Sequence, residues 1–363
     1  MCKPIIQTFI LIALVILVGA CGPAATQEPI PATSTPVSPT AIPASPTSAT
    51  ALPTPADASA PAVISVDTAD QVERLHTLDG HSDAITALAF SADGAYVASS
   101  SVDKTIKLWD VRSGQEVHVF QKSVGQATRN GIAFSPDGRL LACAETIWDV
   151  ASKQVVHTLE RGRYAPVAFS PDGSTLAVAP IEKPIELWDV ASGRLVRTLD
   201  AQGDNITRGI AFSPDGTRVA AAGNSDTGGV ARLWDVASGH VVGTLEHGNV
   251  GLHDIAFSPD SSMLASSSPD ATIRLWDLAS GQVVRTMRHE GGLYSATFSP
   301  DGRLLASAGD GGTVTLWDVA SGRQVRSLRH GGDVMAAVFA PDGTLLASCG
   351  FSNPVVYLWG VPR

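Results

Sequence analysis

From residue 71 onward, short apolar runs alternate with polar turns at a nearly constant interval. Each unit opens with a strand anchored by an aromatic residue and running into a turn, from Phe90-Ser-Ala-Asp-Gly94 in the first to Phe339-Ala-Pro-Asp-Gly343 in the last. In the commonest form, Ser-Pro-Asp-Gly, Pro presets φ, Asp bonds its own backbone and Gly accepts positive φ, so a tight hairpin turn is predicted. A second apolar run follows, such as Leu304-Leu-Ala-Ser-Ala308, then a polar turn, then a third run ending in Trp, such as Thr313-Val-Thr-Leu-Trp317. Ala-Ser-Gly at 191–193, 237–239, 279–281 and 320–322 makes the next turn, and alternating runs such as Gln282-Val-Val-Arg-Thr-Met287 supply a fourth strand. The predicted unit is a meander of four strands.

All seven tryptophans of the chain close the third run of such a unit: Trp109, Trp148, Trp188, Trp234, Trp276, Trp317 and Trp359, spaced 39, 40, 46, 42, 41 and 42 residues apart. Six are followed by Asp and the seventh by Gly360. A period of roughly 40–45 residues with Trp-Asp at its end is the signature of propeller blades. The chain ends four residues after Trp359, leaving the seventh unit without a fourth strand, whereas Gln71-Val-Glu-Arg-Leu-His-Thr-Leu78 has the pattern of one. The predicted fold is all-β: a closed seven-bladed β-propeller over 71–363, its last blade completed by the N-terminal strand. Closure of this kind leaves no free sheet edge between first and last blades.

These phrases resemble the WD-repeat family over about four fifths of the chain. In that family a His before the first strand, a second-strand Ser or Thr, an Asp in the following turn and the Trp form a hydrogen-bonded tetrad. Carried over by position, the resemblance implies a complete tetrad in blade one, made by His81, Ser99, Asp103 and Trp109. Blade six keeps His289, Ser307 and Trp317 with Asp310 shifted, and blade five has Ser266, Asp270 and Trp276 with His247 one residue out of place. Blade seven keeps His330, Ser348 and Trp359 but has Asn353 for the Asp. Blades two, three and four lack the His. Although Ser, His and Asp are the raw material of a hydrolase triad, their recurrence at one blade position beside a Trp points to structure.

Ahead of the repeats, Ile5 to Ala20 is an apolar stretch of sixteen behind Lys3, short for a membrane span of about 20 residues but suited to a signal-peptide core. It ends in Val18-Gly19-Ala20-Cys21, which resembles the bacterial lipoprotein cleavage motif. That resemblance implies residues 1–20 as a cleaved signal peptide, Cys21 as the lipidated first residue, and a lipid anchor on the extracytoplasmic face of the cell membrane. An uncleaved anchor, or a secretory signal that happens to contain Cys, is the alternative. From Cys21 to Asp70 the chain is rich in Pro, Thr, Ser and Ala and cannot bury a core, so a disordered, semi-stiff linker is expected.

Charge and cysteine content narrow the partners. The formal net charge is −10, and setting aside Lys3, Glu28, Asp57, Asp67 and Asp70 leaves 24 basic and 31 acidic residues in the propeller. No basic patch of the kind that binds nucleic acid is evident. Cys143 and Cys349 fall in second strands of blades that are not neighbours, so buried thiols are expected in place of a disulfide. There is no Gly-rich phosphate loop, Cys-x-x-Cys pair or nucleophile elbow. His247, His253, His289 and His330 lie in neighbouring blades, but two are claimed by tetrads and no carboxylate-rich set accompanies them; neither a metal nor a cofactor is expected.

By the same family resemblance, the residue four before the strand-one Phe points to the top surface around the channel: Thr86, Asn130, Ala165, Arg208, His253, Tyr294 and Met335. The arc Arg208, His253, Tyr294 and Met335 carries types enriched at interfaces. A second ring position adds Val102, Ile181, Pro269, Asp310 and Ser352. These side chains either contact a partner or plug the channel. Two departures fall on this face: only 14 residues separate Phe from Trp in blade two, against 19 in most blades, and blade four has 22, which predicts a notch and a longer polar loop. The resulting reading is a monomeric, non-enzymatic scaffold that binds a protein or peptide. A propeller holding a small ligand or metal in its channel, as a binding protein or as an enzyme, and a structural part of an envelope assembly, are the alternatives.

Overall fold

The computed structural model describes residues 62–122, 131–143, 145–159, 165–181, 183–248 and 250–362, and the side chain of Thr207 is left aside. Among these residues, 28 strands form seven four-stranded antiparallel sheets. Blade one is representative, with strands Ile85–Phe90, Tyr96–Ser101, Thr105–Asp110 and Glu116–Gln121 in that order from the centre outward. The innermost strand of each blade packs against that of the next, and the innermost strand of blade seven, Val334–Phe339, packs against Ile85–Phe90. The ring is closed. Glu73–Asp79 is the outermost strand of blade seven, pairing antiparallel with Val355–Gly360 from Glu73 opposite Gly360 to Asp79 opposite Val355.

Burial explains why the inner strands do not alternate. Each blade is sandwiched between two neighbours, so Leu304–Gly309 and Leu345–Gly350 are buried at every position, as strands covered on both faces must be. Small residues at their centres, such as Ala306 and Ala347, let sheets approach closely, while Trp and Leu fill the seams. The outermost strands show most of the solvent-exposed residues; among the innermost strands, that of blade four exposes Asn205 and Arg208 at its top end. Each outermost strand carries a β-bulge beside the Trp, and the skipped residue is aliphatic in every blade: Val117, Val156, Val196, Val242, Val284, Val325 and Leu75. A bulge at this place twists the edge strand away from pairing with another chain.

The first turn of each blade behaves as its sequence requires. In blade one the Ser91 hydroxyl donates to Asp93 Oδ1 (2.6 Å), the Ala95 amide donates to the same oxygen (3.0 Å), and Gly94 takes φ 70°. Blade five has Ser261 in place of the Gly and still adopts φ 61°.

Two expectations are corrected. The linker was expected to run to Asp70, yet residues 62–71 pack on the propeller. Ala62 forms a bridge with Val361, the Ile64 amide donates to Gly343 O (2.8 Å), and Ile64 and Ala69 are each 1% exposed. The Pro-rich composition ends at Pro61, and Ile64 and Val66 supply apolar area that is buried against the propeller. Blade four has no added loop. Its surplus residues lengthen Arg218–Ser225 and Gly228–Asp235 to eight residues each, paired up to Ser225 opposite Gly228, so a raised hairpin stands there. Blade two is shortened as expected, its second and third strands being Leu140–Cys143 and Thr146–Asp149.

Candidate functional site

Turns joining second to third strands, and the links from one blade to the next, all emerge on one face, here called the top; the Ser-Pro-Asp-Gly turns emerge on the other. In blade one a continuous hydrogen-bond chain lies under that face. Trp109 Nε1 donates to Ser99 Oγ (2.8 Å), the Ser99 hydroxyl lies 2.7 Å from His81 Nε2, and His81 Nδ1 lies 2.7 Å from Asp103 Oδ2. Because Trp109 can only donate, Ser99 donates onward to Nε2, and the proton of a neutral His81 sits on Nδ1, facing the carboxylate. Burial holds the His81 pKa below its usual value, with the Asp103 hydrogen bond opposing. Burial pushes Asp103 upward, but hydrogen bonds from Thr105 and His81 outweigh it and leave the carboxyl at about 2. Ser99 is fully buried and its oxygen already accepts from Trp109. No substrate can reach it, so the Ser-His-Asp set is a structural strut.

Blade five solves the same problem with the ring reversed. Trp276 Nε1 donates to Ser266 Oγ (2.8 Å), which lies 2.8 Å from His247 Nδ1. His247 Nε2 lies 2.8 Å from Thr272 Oγ1, whose hydroxyl donates to Asp270 Oδ1 (2.6 Å). The one-residue displacement of His247 therefore selects the other tautomer and inserts Thr272 as a relay.

Blades six and seven keep only the Trp-Ser half. Trp317 donates to Ser307 (2.8 Å) and Trp359 to Ser348 (2.7 Å), but His289 Nε2 and His330 Nε2 are buried without a hydrogen-bond partner. Asp310 is taken by the Tyr294 hydroxyl (2.5 Å), and Asn353 donates to the Tyr357 hydroxyl (3.3 Å).

In blades three and four the residue two before Trp is a buried charged group; it meets the Trp in blade three, whereas in blade four Trp234 Nε1 donates to Asp200 O (3.0 Å). Glu186, 2% exposed, accepts from Trp188 Nε1 (3.1 Å). Arg232, 7% exposed, donates to Gln202 and Asp204. Neither was foreseen from the sequence, because the same position holds Lys107 and Arg274 in blades one and five, where it is only partly buried. Also unforeseen are the basic side chains on outer strands that bind the next blade's Ala-Ser-Gly turn: Arg197 donates to Ser238 O (2.8 Å) and Ala237 O (3.1 Å), and Arg285 to Ser321 O (2.9 Å) and Ala320 O (2.6 Å).

The expected top-face ring is only partly a surface. Thr86 is fully buried and donates to Ser100 O (3.3 Å); Ala165 is also fully buried. Met335 is 5% exposed and packs with Leu88 and Cys349. His253 is 9% exposed, with Nδ1 2.8 Å from Leu293 O and its ring stacked on Tyr294 at 5.5 Å. Tyr294 is half-buried, as is Asp310. Of the arc from blade four to blade seven, Arg208 alone is exposed. The others fill space between blades, because a ring of this size leaves bulky side chains nowhere else to pack. Asn130 and Cys21 lie outside the described residues. Exposed apolar groups occur instead at Ile181, Val250 and Phe351. Cys143 and Cys349 are buried free thiols. Among the described residues, no three His, Cys, Asp or Glu side chains converge on a metal position, and no helix is long and apolar enough to cross a membrane.

Seven closed meanders with a Trp-Ser strut in four of them define a propeller of the WD type. The family model for the WD domain, G-beta repeat, matches residues 72–110, 193–235, 239–277, 281–318 and 322–360, more than half of the chain. The protein belongs to the WD-repeat family. The unmatched stretch 111–192 holds blades two and three, where neither the His nor the Ser of the strut is present. An uncharacterised WD repeat-containing protein of Synechocystis is 34% identical over 167 residues, covering 44% of this chain and 47% of its own. A WD repeat-containing protein of Schistosoma mansoni is 32% identical over 162 residues, 43% of this chain and 52% of its own. Pre-mRNA-processing factor 19 of Oryza sativa is 32% identical over 162 residues, 42% of this chain and 30% of its own. The chain thus spans about half the length, or less, of these curated relatives.

Proposed function

We propose that this protein is a non-enzymatic interaction scaffold, lipid-anchored through Cys21 on the extracytoplasmic face of the cell membrane, which holds a protein or peptide partner on the top of its propeller. The observation that carries the partner reading is the asymmetry of the top face at blades three to five. Arg208 is exposed there beside the raised hairpin Ser225–Gly228, with Ile181 at 43% exposure on blade three and Val250 at 41% on the approach to blade five. An exposed Arg flanked by aliphatic groups on a rigid scaffold has the composition of an interface centre. Thr86, His253, Tyr294, Met335 and Asp310 lie in blades one and five to seven, where they pack the rest of the ring below the top face. The anchor reading rests on the Lys3, Ile5 to Ala20 and Cys21 pattern; lipid burial contributes about 0.8 kcal/mol per CH₂, and more than one chain makes the attachment stable. The scaffold acts as a monomer without cofactor, and its acidic charge disfavours nucleic acid.

Two measurements test this. Affinity capture from envelope and culture-medium extracts compares the full chain with an Arg208→Ala, Ile181→Ser, Val250→Ser variant; a partner retained by the first and lost by the second supports the top face, and an unchanged set refutes it. Incorporation of labelled palmitate, abolished by Cys21→Ser, supports the anchor, and labelling that survives the substitution refutes it.

A further inference from the structure

The segment 62–66 does more than begin the propeller, for it fills the outer seam between blades six and seven. Ile64 is packed in one cluster with Leu304, Leu316 and Val361, and Val66 and Val325 lie against that cluster. The segment is extended at its start, with the Ala62 to Val361 bridge and the Ile64 to Gly343 hydrogen bond fixing its backbone.

Shifted by one blade, the same positions line an open groove. Met263, Leu275 and Val284 occupy in blade five the places of Leu304, Leu316 and Val325 in blade six. Gly302 and Val319 of blade six stand where Gly343 and Val361 stand in blade seven. The groove between blades five and six has a volume of about 590 Å³, and Ser65, Val66 and Asp67 form an additional wall along it. Covered Val325 is partly buried, whereas Val284 is 53% exposed.

We infer that the seam between blades five and six is a second binding site, which takes an extended, uncharged segment of another protein carrying a branched aliphatic residue. The molecule supplies the template, since its own Ala-Val-Ile segment occupies the equivalent seam. Charge supports an apolar occupant over an acidic one. The Arg285 guanidinium is already committed to the carbonyls of Ala320 and Ser321, and the remaining charged lining side chains, Arg303, Asp318 and Asp67, include both signs. The bulge at Val284 interrupts the edge of blade five, so the segment lies in the groove and does not extend the sheet. This site is on the outer rim, away from the top face, and stands or falls independently of the scaffold reading given above.

The test uses the purified full chain and a dye-labelled synthetic peptide of the sequence Ala-Pro-Ala-Val-Ile-Ser-Val, read by fluorescence polarisation. Saturable binding is expected, weakened about tenfold or more by Val284→Glu and by Asp in place of the peptide isoleucine. Val242→Glu, at the equivalent exposed position of blade four, leaves affinity within about twofold; both protein variants alter exposed positions and keep the fold, which circular dichroism checks. Absence of saturable binding overturns the inference. Binding insensitive to Val284→Glu also overturns it, placing the peptide in the six–seven seam by exchange with residues 62–66. Concentration-dependent self-association of the full chain that Val284→Glu abolishes, without peptide binding, assigns the groove to a second copy and likewise overturns it.

Discussion

Replacing His81 by Ala removes both hydrogen bonds that join Ser99 to Asp103, and its cost can be worked from the geometry. The Asp103 carboxylate loses a charge-assisted bond of about 1.5–3 kcal/mol but keeps Thr105 Oγ1 (2.6 Å), the Thr105 amide (2.9 Å) and the Ser82 amide (3.1 Å). The Ser99 hydroxyl, fully buried, is left without the acceptor at 2.7 Å, a loss of about 1–3 kcal/mol. With the space vacated by the ring, a destabilisation of about 3–5 kcal/mol is expected, lowering Tm by on the order of 10 °C in a domain of this size. His330→Ala is the internal control. His330 Nε2 has no partner to orphan and its Nδ1 contact with Gly331 O is long at 3.4 Å, so about half that cost is expected, mostly from lost packing on Tyr357. Urea denaturation of both variants measures the difference. A His81→Ala change below about 0.5 kcal/mol, or a His330→Ala change as large as that of His81→Ala, would refute the strut argument.

Burial holds the pKa values of His81, His247, His289 and His330 below the ordinary 6.5. The unfolded chain therefore takes up protons first as pH falls, and stability present at pH 7 and above is lost progressively below about pH 6.5. Thermal melts from pH 7.5 to 4.5 check this; a flat profile, or a profile unchanged by His289→Phe with His330→Phe, contradicts it. Ala271 sits at φ 66° without a side-chain bond to hold it, so Ala271→Gly is expected to stabilise by about 0.5–1 kcal/mol, whereas Gly94→Ala destabilises by a similar amount; chemical denaturation reads both signs. Arg232→Ala leaves the partly buried Asp204 without its cation and is expected to cost about 1.5–3 kcal/mol, more than Arg197→Ala at an exposed seam, where about 0.5–1 kcal/mol is expected. Hydrogen exchange localises the Arg197→Ala effect to blades three and four, and a global effect would argue against it.

The blade count, the closing strand and the tetrad of blade one were legible because they depend on local spacing and on residues that repeat. Seven copies of one phrase report their own register. The binding ring was not legible, because burial at Thr86, His253 and Met335 is decided by how seven blades close on one another, and one sequence unit carries no record of that. Blade four shows the same limit from another side: Gly223 to Gly229 reads as loop composition, yet continuous pairing with the outer neighbours makes it a hairpin. The buried Glu186 and Arg232 escaped because they occupy a position that holds Lys, Thr, Arg or Tyr in other blades, so its burial shows only when the neighbouring blade is in place.

The closing strand has a consequence for the order of folding. Among the described residues, Glu73–Asp79 precedes every other strand, while its partner Val355–Gly360 follows them all. During synthesis six blades can form from contiguous sequence, each pairing strands only tens of residues apart, while the earliest strand waits with its edge unsatisfied. Closure is among the longest-range contacts in the domain and is expected to be its slow step. Until then the apolar residues Ile64, Val72 and Leu78, which end fully buried, are open to any other chain. Whatever keeps the nascent N-terminal segment single determines how much of this protein completes its ring.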